Sequence, residues 1–155
     1  MVCFENTIIL IGGRSHNVHT AQVELFDLMR EGGKWRVNIS APSLRKARWR
    51  HSSCVAGDRI YTFGGDSGVN YLTSLESINA RKLVAGHPSA VWRRVKIDME
   101  EDYGVVARSH PILSPIYDGA ILIAGGFAAN GNKLGDWRIV DLEGRSISSV
   151  DSMVI

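Results

Sequence analysis

Cysteine is scarce in this chain of 155 residues. Cys3 and Cys54 are its only two thiols, so at most one disulfide can form, and a cross-linked secreted scaffold is excluded as the organising principle. Long apolar runs are missing as well. Ile8-Ile9-Leu10-Ile11 stops at Gly12-Gly13, far short of the roughly 20 residues that a membrane-spanning helix needs. Met1-Val2-Cys3-Phe4-Glu5 lacks the basic start of a secretory leader, so the expected compartment is cytoplasmic and the sequon Asn38-Ile39-Ser40 is expected to stay unmodified. Charge of one sign is in short supply too. A formal net charge of +2 gives no basic stripe over a whole face, so nucleic acid is not an expected partner.

With 45% apolar and 22% charged residues, the composition is that of a globular domain with enough material for a core. Its pattern is a repeat. Ile8-Ile9-Leu10-Ile11-Gly12-Gly13, Ile60-Tyr61-Thr62-Phe63-Gly64-Gly65 and Ile121-Leu122-Ile123-Ala124-Gly125-Gly126 are three apolar runs, each ending in a glycine pair. A second landmark follows each pair at nearly constant distance: Val23-Glu24-Leu25-Phe26-Asp27, Leu75-Glu76-Ser77-Ile78-Asn79 and Trp137-Arg138-Ile139-Val140-Asp141. Ala47-Arg48-Trp49-Arg50-His51-Ser52 and Ala107-Arg108-Ser109-His110 precede two of the runs, and a late tryptophan, Trp35 or Trp92, follows two of the pairs. Gly57-Asp58 and Asp118-Gly119 are hairpin signals, with Glu5-Asn6 in the same phase of the first unit.

Strand-length apolar runs bounded by turn residues, with no sustained helical period, predict an all-β protein of antiparallel hairpins. A continuously apolar strand must be covered on both faces, which suits a sheet sandwiched between neighbours. The glycines then serve sterically, letting the chain leave the strand through positive φ and letting an adjacent sheet approach. Trp35 and Trp92 are expected to fill the wedges between sheets.

These landmarks together resemble the kelch repeat. The resemblance implies a partial β-propeller of four-stranded antiparallel blades, with units at 1–43 (partial), 44–103 (complete) and 104–155 (partial). Ile78 and Val140 depart from the family's usual aromatic, and no late tryptophan follows Asp141. Three units, two of them partial, lead us to expect an open arc within a longer protein, or self-association through uncovered terminal blades.

Several strings imitate active sites. Gly65-Asp66-Ser67-Gly68 resembles the nucleophile segment of trypsin-like proteases, but Val69 replaces the next glycine and the string begins on a repeat glycine. The segment from Gly126 to Lys133 resembles a phosphate loop, with Leu134 where a Mg²⁺-binding hydroxyl is needed. His16 and His19 form an H-x-x-H without a second ligand cluster in sequence. The copper oxidases that share such blades use tyrosine, cysteine and histidine, yet Cys3 and Cys54 share nearly the same repeat phase and are expected to occupy one structural position. No cofactor, metal or catalytic residue is therefore expected.

Kelch resemblance implies a non-catalytic protein-interaction module or scaffold. The alternatives are a propeller-type enzyme such as a copper oxidase-like protein, or a substrate receptor for a ubiquitin ligase with its adaptor on another chain. The partner is expected to be a protein. Arg45-Lys46-Ala47-Arg48-Trp49-Arg50-His51 concentrates charge, and Arg48 recurs as Arg108, so Arg48, Arg50, His51, Arg108 and His110 are the candidate contact residues. The acidic run Met99-Glu100-Glu101-Asp102 is expected to be a solubilising loop.

Overall fold

A computed structural model describes residues 1–29, 32–35, 41–97, 105–117 and 119–150. The sequon, the acidic run at 99–102 and Asp118 of the third hairpin lie outside these residues. Each apolar run forms the second strand of a four-stranded antiparallel sheet. The first comprises β1 (Val2–Phe4), β2 (Thr7–Ser15), β3 (Val18–Asp27) and β4 (Lys34–Trp35), in that spatial order. The second comprises β5 (Ser52–Ala56), β6 (Arg59–Phe63), β7 (Leu75–Asn79) and β8 (Arg93–Arg94), with the helix α1 (Ala80–Val84) between its last two strands. After the two-residue β9 (Arg108–Ser109), the third comprises β10 (Ile112–Tyr117), β11 (Ala120–Ala124), β13 (Trp137–Asp141) and β14 (Ser146–Val150); β12 (Phe127–Ala128) pairs with β9. Meandering sheets packed face to face are the blades of a partial β-propeller.

The third unit carries its outer strand without a late tryptophan. Asp141 caps the turn into β14, its Oδ1 accepting from the amides of Glu143 and Gly144 at 2.9 Å each. Helix α1 is the insertion that sets Trp92 further from its glycine pair than Trp35 is. Asn79 caps it, its side chain accepting from the amide of Lys82.

Strand alternation divides the core between two blade interfaces. On the second blade, Ile60 and Ile78 face the first blade and meet Ile9, Ile11, Val23 and Leu25. Tyr61, Phe63 and Leu75 point the other way, against Leu113, Ile121, Ile123 and Val140 of the third. All of these are buried, and each aliphatic side chain so placed contributes roughly 1.5–3 kcal/mol. This explains why the apolar run of β6 does not alternate with polar residues: a neighbouring blade covers each face.

The two late tryptophans differ. Trp92 fills the wedge as expected, buried with its Nε1 donating to the carbonyl of Pro42 at 3.0 Å. Trp35 does not. It is 45% exposed and rests edge-on against Phe26 at 5.0 Å, because among the described residues no blade packs on that face of the first blade, whereas the first blade itself covers Trp92. The cysteines also part company. Cys3 pairs with Ile8 and is exposed, whereas Cys54 pairs with Tyr61 and is buried. Their one-residue difference in phase puts them on opposite faces of the strand, so they do not share a position. Burial pushes the Cys54 thiol up to about 12, which makes it a small apolar core residue.

Candidate interaction face

The glycine pairs place the loops of successive blades against one another. Gly64 and Gly65 leave β6 with φ of 68° and 94°. A Cβ on Gly64 would lie 2.8 Å from the carbonyl oxygen of Arg108, and one on Gly65 would lie 2.7 Å from that of Trp49. Both φ and space therefore require glycine. The gain is a hydrogen bond between blades: the Gly65 amide donates to the Arg108 carbonyl at 2.8 Å, as the Gly13 amide does to the Arg48 carbonyl.

Arg48 and Arg108 lie inside the protein. Both are fully buried, and each guanidinium reaches along its own blade to the carbonyl of the first glycine there, Gly64 or Gly125, at 3.1 Å. Arg48 also donates to Ser74 and to Glu76, which is itself buried. Arg108 forms a fork with Asp136, both bonds at 2.8 Å. Desolvation lowers the pKa of Arg48 and the Glu76 carboxylate opposes it. The hydrogen bonds from Arg108 hold the Asp136 carboxyl below its ordinary value despite burial. The expectation that these two arginines contact a partner is corrected: their side chains join the strands of a blade while their main chains join that blade to the one before.

The neighbouring residues do reach the surface. Arg50 and His110 occupy equivalent positions, with φ of 54° and 52°, and both are exposed. The amide of His110 donates to the carbonyl of Arg50 at 2.7 Å, which makes the two adjacent on the rim. Trp49 forms an isolated bridge with Asp66, and Ser109 pairs with Phe127, so the loops after the second and third glycine pairs join the same rim. His110 lies edge-on to Phe127 at 5.8 Å.

The centre of the rim is Trp49. Arg50 lies over its ring at 3.8 Å, Arg14 from the first blade at 4.6 Å, and His19 meets it edge-on at 5.7 Å. The His19 Nε2 atom is shielded and has no hydrogen-bond partner, and ring and cation contacts bring the group together. Desolvation acts to raise the pKa of the adjoining Asp66, but the Gly68 amide at 2.7 Å and then the Trp49 side chain, with a smaller contribution from the charge of Arg50, outweigh it and hold the carboxyl low. Arg14 and His19 pair across the β2–β3 hairpin of the first blade, but Trp49 comes from the entry to the second, and no spacing rule links it to them.

His51 sits where Pro111 sits in the next unit, with its ring carbon 3.1 Å from the Cβ position of Gly12, as the proline ring lies 3.2 Å from that of Gly64. Burial, then the charge of Arg48, pushes its pKa down to about 4, so it is neutral at pH 7. It is a packing residue between blades rather than a surface cation. The basic run thus resolves into a buried ion pair at Arg48, a neutral His51 and three exposed cations, Arg45, Lys46 and Arg50.

The strings that imitate active sites are loop devices. Ser67 Oγ donates to the carbonyl of Asn70 at 2.8 Å and accepts from its amide, and Asp66 caps Gly68. In the third blade, the Ala128 amide donates to Asn132 O at 2.9 Å, closing the turn that resembles a phosphate loop. His16 bonds to Ser15 while His19 turns to Trp49, and no group of three metal-ligating side chains occurs among the described residues.

Comparison with known sequences bears on this arrangement directly. Residues 47–84, which run from the basic segment through the second glycine pair to the end of α1, match the profile of the Kelch motif. No curated protein sequence matches the chain. No helix among the described residues is long and apolar enough to cross a membrane.

Proposed function

We propose that this chain, a kelch-repeat protein built of four-stranded antiparallel blades, is a non-catalytic protein-interaction module or scaffold of the cytoplasm that engages an acidic segment of a partner protein at the rim around Trp49. The observation that carries the reading is the double stacking of Arg14 and Arg50 on Trp49. Those two side chains come from adjacent blades, and the stack holds both guanidinium groups in place before any partner arrives, which lowers the ordering cost of binding. The one carboxylate in the group, Asp66, is already engaged with Gly68. Loops fixed on a rigid sheet scaffold are where binding residues accumulate. In this reading Arg48 and Arg108 set the geometry of the rim while Arg50, His110 and Arg14 make the contacts.

The test is affinity capture from the protein's own cell extract with wild type and an Arg14→Glu/Arg50→Glu variant. A protein retained by wild type and lost by the variant supports the reading. Equal retention of every captured protein contradicts it.

A further inference from the structure

A second concentration of charge lies in the wedge between the second and third blades, on a different part of the molecule. A cleft of about 360 Å³ is lined by Arg59, Arg93, Arg94, Lys96 and Arg145, together with Tyr61 and Ser77. No carboxylate of the described residues lines it. Two carboxylates of the second blade are committed elsewhere: Glu76 to Arg48, and Asp58 to the side-chain amide of Asn79 at 2.8 Å. None of the five cations forms an ion pair with a described residue.

We propose that this cleft is a binding site for a compact, multiply charged phosphate anion. Five like charges in one recess repel one another, and an anion that enters it relieves that repulsion while gaining several charge-assisted hydrogen bonds. The volume of about 360 Å³ has room for two or three linked phosphoryl groups. Guanidinium forks match phosphoryl oxygens in pairs, and four of the five cations are arginine. Part of the recess is set in advance. Arg93 pairs with Ser77 across the sheet, and Arg59 is anchored by a hydrogen bond to Ser77 Oγ at 2.8 Å. Burial raises the Tyr61 pKa and keeps its hydroxyl protonated, which provides a neutral donor beside the cations. The cleft includes the start of β6 at Arg59, whereas the Trp49 rim adjoins the glycines after its end. Occupancy of one site therefore does not require the other.

Calorimetric titration of the full chain with tripolyphosphate tests the proposal, with citrate as a carboxylate control and Lys133→Ala as a charge control on an exposed loop. Saturable one-to-one binding is expected, weakened about tenfold or more by Arg93→Ala/Arg94→Ala and within about twofold of wild type for Lys133→Ala. Arg93 and Arg94 are exposed edge residues, so this variant should melt as wild type does; if it does not, Arg145→Ala on the opposite wall serves instead and should weaken binding as well. Equal weakening by Lys133→Ala, equal affinity for citrate, or no saturable binding overturns the proposal. None of these results bears on capture through the Trp49 rim.

Discussion

Arg48 and Glu76 lie side by side in the interior, a guanidinium and a carboxylate exposing 0% and 2% of their side chains to solvent. In the third blade Arg108 meets Asp136 at the same sequence distance of 28 residues, although Asp136 precedes its strand and Glu76 lies within one. Measured from the glycine pair, arginine and carboxylate have moved together by one position along the chain, and the arginine keeps its place between the glycine carbonyl and the acid. What is fixed in each blade is the arginine's need for a partner, because a lone buried charge costs far more than a paired one.

Arg48→Ala should therefore destabilise the fold by about 3–5 kcal/mol, since it strands the Glu76 carboxylate. Replacing both partners together, Arg48→Met with Glu76→Leu, should recover much of that loss. Chemical denaturation of the single and double variants measures both. A double variant as unstable as Arg48→Ala would mean that the pair matters for its own attraction.

Gly64 and Gly131 separate strain from crowding. Both have positive φ, 68° and 82°, but a Cβ on Gly64 meets the Arg108 carbonyl at 2.8 Å and one on Gly131 meets nothing within 4 Å. Each alanine variant should lose about 1 kcal/mol for backbone conformation, and Gly64→Ala should lose more because the blades must separate. Equal melting temperatures would contradict the close approach.

Trp92→Ala should cost about 3–5 kcal/mol and Trp35→Ala distinctly less, because only Trp92 is enclosed between blades. Comparing the two in urea measures this. A larger loss at Trp35 would mean that the outer strand, rather than the wedge, holds the first blade in place.

His51 makes stability depend on pH in a defined window. Its pKa is about 4 in the folded chain against an ordinary 6.5, so between these values the unfolded chain binds the extra proton. Stability is fully present above about pH 6.5 and falls as the pH drops toward 4. His51→Gln should flatten that part of the curve. The lowered carboxyl pKa values of Asp66 and Asp136 act below their ordinary 3.8, outside most of this window. A variant whose melting temperature still falls as steeply would remove His51 as the cause.

The repeat was legible because its glycines answer a steric demand that no other residue meets, and the all-β architecture followed from the length of the apolar runs. The direction of side chains was not. Arg48 and Arg50 stand two positions apart in one basic run, and sequence phase shows that Arg48 recurs but not that it turns inward. The signal that would have found this is the carboxylate 28 residues on, repeated at Glu76 and Asp136. The Arg14 contact with Trp49 had no such signal, because it joins a loop of one blade to the entry segment of the next. His51 misled for a related reason. Its equivalent is Pro111, and the histidine in His110 belongs one position earlier, beside Arg50.

The central claim is that the inner arginine builds the rim and the outer one binds. It is tested most directly by measuring one captured partner's affinity and the melting temperature together for Arg50→Ala and Arg48→Ala. Arg50→Ala should weaken binding about tenfold or more while melting as wild type does, and Arg48→Ala should melt well below it. An Arg50→Ala chain that binds the partner as tightly as wild type would contradict the account.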